Sequence, residues 1–89
     1  MRQDALDGNQ GPLGRVSIKA AVDDTIVDYL RLLEGQPIED LYAMVLAQVE
    51  PPLLRQVMAH VGNNQSKAAR LLGLSRGTLR TKLSQYGLL

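Results

Sequence analysis

Six residues between Pro51 and Leu89 carry a positive charge, Arg55, Lys67, Arg70, Arg76, Arg80 and Lys82, and none in that span carries a negative one. Such a set suits a polyanion, because lysine and arginine displace the counterions condensed on phosphates, which is favourable whatever the sequence of the partner. From Met1 to Glu50 the balance reverses, with four cations against nine acids. A chain of 89 residues and net charge +1 therefore divides into an acidic half at −5 and a basic half at +6. Charge alone does not distinguish a binding surface from an ordinary solvated face. The positions of these residues along helices have to decide.

Other chemistries lack parts. His60 is the single histidine and there is no cysteine, so a zinc site or a Ser-His-Asp triad would be short of ligands or partners. With no convergent acid, base, nucleophile or metal cluster, the sequence predicts no enzyme, no metal and no cofactor. Asp23, Asp24 and Asp28 read as a solvated helix face and His60 as a partly exposed helix residue. Tyr29 and Tyr42 read as core rings, and Met44 and Met58 as gap fillers. Three tyrosines, with no phenylalanine or tryptophan, offer almost no platform for stacking single-stranded bases. No apolar run approaches the roughly 18 residues of a membrane span, and the polar, glycine-rich residues 1–16 lack the apolar region of a secretory signal, so a cytoplasmic location is expected. The composition, 45% hydrophobic and 21% charged, is that of a globular domain. A domain this small buries only about 60–65% of its unfolded surface, and with no disulfide to help, self-association is the expected remedy.

The elements that must hold the basic residues are helices. Residues 1–16, with Gly8, Gly11, Gly14 and Pro12, read as a mobile arm. Ser17 can cap a first helix at about 18–33, in which Ile18, Val22, Ile26, Tyr29, Leu30 and Leu33 recur every three or four residues before Gly35 and Pro37 stop it. A second pattern starts at Asp40, a candidate cap, and runs through Tyr42, Val45, Leu46, Val49, Leu53, Val57 and Val61 to Gly62-Asn63. Pro51 and Pro52 interrupt it, removing the amides that would bond the carbonyls of Ala47 and Gln48. The apolar stripe keeps phase across them, which favours one kinked helix over two. Asn64 caps a short third helix, 65–72, closed by Gly73, and Ser75 caps a fourth reaching Gln85 with Gly87 just beyond. No stretch alternates as a strand does. The expected fold is all-α, with an arm at 1–16, two longer helices within 17–62 whose stripes suit self-association, and two short helices within 63–89 that hold most of the basic residues.

Gln65–Ser84, QSKAARLLGLSRGTLRTKLS, fits the twenty-residue helix-turn-helix pattern. Ala69 is small where two helices crossing at about 100° leave no room, and Gly73 can take the left-handed backbone of the turn. Ala68, Leu72, Leu74, Leu79 and Leu83 fall where the paired helices share a core. At about 100° per residue, Leu79, Leu83 and Tyr86 lie on one side of the last helix, and Arg76, Gly77, Arg80, Thr81 and Ser84 spread over the other. That second arc has charge, hydrogen-bonding groups and little bulk. It can enter a major groove, where guanidinium matches the O6 and N7 acceptors of guanine and Gly77 lets the backbone approach. The third helix would cross the phosphate backbone, presenting the amides around Asn64–Lys67, the Ser66 hydroxyl and the Lys67 ammonium.

The run DLYAMVLAQVEPPLLRQVM, followed by GNNQSKAARLLGLSRGTLRTKLSQYGLL, resembles the Fis family (factor for inversion stimulation) of bacterial nucleoid-associated DNA-binding proteins and transcription regulators. The resemblance is dense from Asp40 to Leu89 and looser from Ser17 to Glu39. It implies an intertwined homodimer in which the first two helices of each chain build a four-helix core, with a helix-turn-helix at each end. It implies too that the recognition helices stand closer than one DNA turn, so that the duplex bends to be bound. The family's DNA contacts map onto Asn64, Gln65, Ser66 and Lys67, and onto Ser75, Arg76, Thr78, Arg80 and Lys82, with Thr81 beside them. Arg76 matches the arginine that reads a guanine, and Lys82 is expected to position the helix on phosphates. Ser75 stands where asparagine is common, and Thr81, Ser84 and Gln85 where lysines are familiar, which implies weaker phosphate affinity. The arm is shorter and richer in glycine than the hairpin with which the family touches DNA invertases, so stimulation of inversion is not carried over.

Two other readings use the same residues. One is a module of the kind found at the C-terminus of NtrC-like activators, acting alone at a few specific palindromes. The other is a helical adaptor for RNA polymerase or a DNA recombinase, with DNA contact secondary.

Overall fold

The computed structural model describes residues 17–89, so the expected arm at 1–16 lies outside the described residues. The chain is all-helical there: α1 Ile18–Leu32, α2 Leu41–His60, α3 Gln65–Leu72 and α4 Arg76–Gln85. It forms two compact units, one ending at Glu39 and containing α1, the other Asp40–Leu89.

Helix α1 starts where Ser17 accepts the amide of Ala20 at 3.1 Å, which satisfies one of the four free donors of a helix start. It ends at Leu33, whose amide donates to the carbonyl of Tyr29. No residue of α1 is buried; Ile26, Tyr29 and Leu33 are half-buried, and Ile18, Val22, Val27 and Leu30 are exposed. The apolar stripe is present but open. Asp23, Asp24 and Asp28 are all exposed, as a solvated face should be.

Helix α2 is one continuous helix of 20 residues that includes Pro51 and Pro52, in agreement with the unbroken phase of its stripe. Its start differs from expectation. Asp40 has φ 58 and ψ 30, in the left-handed region, and its side chain makes no cap hydrogen bond. A capping carboxylate needs an extended backbone to reach the second or third amide, and aspartate is among the few residues that tolerate the left-handed alternative. Its carbonyl still accepts the amide of Met44 at 3.0 Å.

The core of the second unit is Leu54, Met58, Ala68, Ala69, Leu79 and Leu83, with Val57, Val61, Leu72, Tyr86 and Leu88 packed against it. Helix α3 packs against both α2 and α4. Three leucines, Leu54, Leu79 and Leu83, are essentially inaccessible, each contributing roughly 1.5–3 kcal/mol by burial. Along α2 the buried residues are Leu54 and Met58, not the Leu53 that the sequence pattern selected; Leu53 is 48% exposed. Tyr42 and Met44, expected inside, are also exposed, Tyr42 at 79%. The apolar core of this unit draws on α2 only from Leu54 onward.

Candidate nucleic-acid interface

Both helices of the C-terminal pair begin with the same device. Asn64 Oδ1 accepts the amide of Lys67 at 3.0 Å, and Ser75 Oγ accepts the amide of Thr78 at 3.0 Å while donating to Thr78 Oγ1 at 2.9 Å. Each cap uses one amide of the first turn and leaves the others pointing along the axis, where the partial positive charge of the helix start favours an anion. Between the helices, Gly73 has φ 76 and ψ 27. That geometry lets the amide of Leu74 return to the carbonyl of Ala69 at 2.9 Å, the six-to-one closure of a left-handed helix end. A β-carbon at Gly73 would meet nothing within 4 Å, so glycine is required there by backbone conformation, not by space. Ala69, at 5% exposure, lies in the contact between α3 and its neighbours, and a larger side chain would push them apart.

The arc expected from helical geometry is the observed one. Leu79 and Leu83 are buried and Tyr86 is half-buried, while Arg76, Gly77, Arg80, Thr81 and Ser84 are exposed. Of the ten residues expected to touch DNA, Asn64, Ser75 and Thr78 are engaged in the caps. Arg80 Nη1 donates to Gln65 Oε1 at 2.9 Å; this bond ties the exposed arc of α4 to the first turn of α3 and leaves the other guanidinium donors outward. Ser66, Lys67, Arg76 and Thr81 are exposed and make no side-chain hydrogen bond among the described residues.

Lys82 is differently placed. Its Nζ lies 3.0 Å from Glu50 Oε2, with 30% of its side chain exposed. Tyr86 Oη donates to the other oxygen of the same carboxylate at 2.6 Å. The Tyr86 hydroxyl, then the Lys82 bond, then the Lys82 charge hold the Glu50 carboxyl below the usual glutamate range, against desolvation. The bond to Glu50, with smaller contributions from desolvation and from its charge, pushes the Tyr86 phenol up. Glu50 was not selected by sequence reasoning. Its signal was there: it is the single acid between Leu41 and Leu89.

Among the described residues no group of three or more His, Cys, Asp or Glu could hold a metal ion, and no helix is long and apolar enough to cross a membrane. His60 is exposed near the end of α2.

Residues 45–86 match the family described as bacterial regulatory protein, Fis family. A Fis-like DNA-binding protein of Pseudomonas aeruginosa is 55% identical over 73 residues, covering 82% of this chain and 70% of the relative. The DNA-binding protein Fis of Aliivibrio fischeri is 51% identical over 79 residues, covering 89% of this chain and 76% of its own. That of Proteus mirabilis is 41% identical over 84 residues, covering 94% and 86% respectively. With caps, turn, buried face and exposed arc in the order that the helix-turn-helix pattern requires, the chain belongs to the Fis family of bacterial regulatory proteins.

Proposed function

We propose that the protein is a homodimer that binds and bends double-stranded DNA with tolerance for sequence, acting in transcription regulation and in organisation of the bacterial nucleoid. The observation that carries the reading is the outer arc of α4, with Arg76 and Arg80 exposed around Gly77 and with Lys67 and two capped helix starts in the same compact unit. In that arrangement Arg76 reads a guanine edge, Thr78, Thr81 and Ser75 approach the groove wall, and Asn64, Gln65, Ser66, Lys67 and Arg80 position the pair on phosphates. The names borne by the relatives favour this reading over the NtrC-type module and over the adaptor.

Dimerisation follows from surface left uncovered. Val22, Val27 and Leu30 of α1, and Tyr42, Met44, Val49 and Leu53 of α2, are exposed in a single chain, and a second copy supplies the apolar partner that each stripe lacks. Two recognition helices fixed on such a dimer and set closer than one helical turn of DNA require a curved duplex. Discrimination then arises from the deformability of base pairs that the protein does not touch.

The test is an electrophoretic retardation series on duplexes of varied central A·T content, run beside sedimentation. The expected results are a dimer, preference for an A·T-rich centre, and log affinity falling against log salt with a slope of roughly −7 for about eight neutralised phosphates. A monomer, or a nearly flat salt titration, would contradict the reading.

A further inference from the structure

Glu50 reaches from α2 to α4 with both oxygens engaged, Oε1 by Tyr86 Oη at 2.6 Å and Oε2 by Lys82 Nζ at 3.0 Å. Lys82 lies in the last turn of α4 and Tyr86, four residues on, is its C-cap, so the two side chains stand about one turn apart on one side. Two bonds from one carboxylate to points a turn apart resist swivelling of the helix about the contact, where one bond would act as a pivot. The apolar contacts of Leu79 and Leu83 hold α4 against the core but are non-directional. Rotation of α4 is what would misdirect Arg76 and Arg80.

Resting on the DNA-binding reading above, we propose that Glu50 is the positioning residue of the recognition helix, and that by holding Lys82 it removes that lysine from the set of phosphate contacts. A phosphate approaching Lys82 meets an ammonium whose charge is already offset by the Glu50 carboxylate 3.0 Å away, and drawing the ammonium off would leave that carboxylate with only the Tyr86 hydroxyl beside a polyanion. Arg55, Lys67, Arg70, Arg76 and Arg80 supply positive charge without that cost. The Glu50–Lys82 pair presents no net charge to DNA, and its function is aim.

The chain has only three lysines, Lys19, Lys67 and Lys82, so their side-chain ammonium signals can be followed singly by NMR in the full-length wild-type protein. On addition of a duplex, the Lys67 signal should shift and the Lys82 signal should stay within its free-state position. Binding measurements complete the test. Replacing the pair by Glu50→Gln with Lys82→Met should leave the salt slope unchanged, whereas Glu50→Gln alone should free Lys82 and steepen it by about 0.9 per protomer. Tyr86→Phe keeps every charge and removes one of the two bonds; it should blunt the preference for guanine at the half-site edge without changing the slope. A Lys82 shift as large as that of Lys67, or a double variant whose slope falls by about 0.9 per protomer, overturns this inference while leaving DNA binding intact. No shift at Lys67 and no retarded duplex would overturn the DNA reading and this inference together.

Discussion

Replacing Gly77 by alanine should move stability and DNA affinity in opposite directions. Gly77 is the second residue of α4, and a β-carbon built there meets nothing within 4 Å. Alanine therefore fits the free protein without displacement and restricts the unfolded chain, a gain of about 0.4–1 kcal/mol. For a domain of this size that raises the melting temperature by roughly 2–6 °C. On DNA the same methyl group would stand between Arg76 and Arg80, on the exposed arc that the proposed reading sets against the groove. A loss of about tenfold per recognition helix, about 1.4 kcal/mol, is expected. Thermal unfolding at one fixed protein concentration and retardation of a single duplex, made on the same preparation, check both signs. Gly73→Ala is the control: space is equally open, but φ is +76, so alanine costs about 1–2 kcal/mol and should destabilise. Wild-type affinity in the stabilised Gly77→Ala variant would refute the close approach of α4 to the duplex. Loss of stability in that variant would refute the account of the free helix.

Arg76→Ala should weaken binding by about 1–3 kcal/mol per contact and flatten the preference for guanine at the half-site edge, whereas Lys67→Ala should weaken all duplexes alike; a panel of single-base-pair variants separates the two. Leu79→Ala, at a position with no accessible surface, should cost about 2–5 kcal/mol in urea denaturation, and Leu71→Ala, at 59% exposure, less than about 0.5. Acidification should reveal the Glu50 bonds. Because its carboxyl is held below the ordinary range in the fold, its contribution is fully present above the unfolded value and is lost as pH falls through the lower folded value. Tyr86 has the opposite sign: its phenol is raised, so its contribution is lost as pH climbs through the folded value at the alkaline end. Glu50→Gln should flatten both limbs of the denaturation midpoint plotted against pH.

Local rules made much of this molecule legible in its residues. Ser17, Asn64 and Ser75 cap where expected because a cap depends on one side chain and an amide three residues on. The buried and exposed arcs of α4 follow from helical periodicity alone. Asp40 misled because its residue type permits two backbone states and sequence does not choose between them. Leu54 was missed for a different reason. Its neighbour Leu53 continues the upstream stripe, but past the prolines α2 packs against α3 within its own unit, and the side that is buried turns by one residue. Tyr42 and Met44 look like core and are exposed, since an apolar stripe does not record whether the helices of its own unit cover it. Glu50 and Lys82, 32 residues apart, could be joined only by knowing how α4 packs.

The two prolines of α2 carry a mechanical consequence. The carbonyls of Ala47 and Gln48 have no amide four residues ahead to accept from, so flexing the rod at that point breaks no backbone bond that was there to lose. Elsewhere along α2 the same deflection would stretch an intact ladder. Compliance is thereby concentrated in the turn that carries Glu50 itself, so flexing of the rod at the prolines displaces the carboxylate to which Lys82 and Tyr86 are tied.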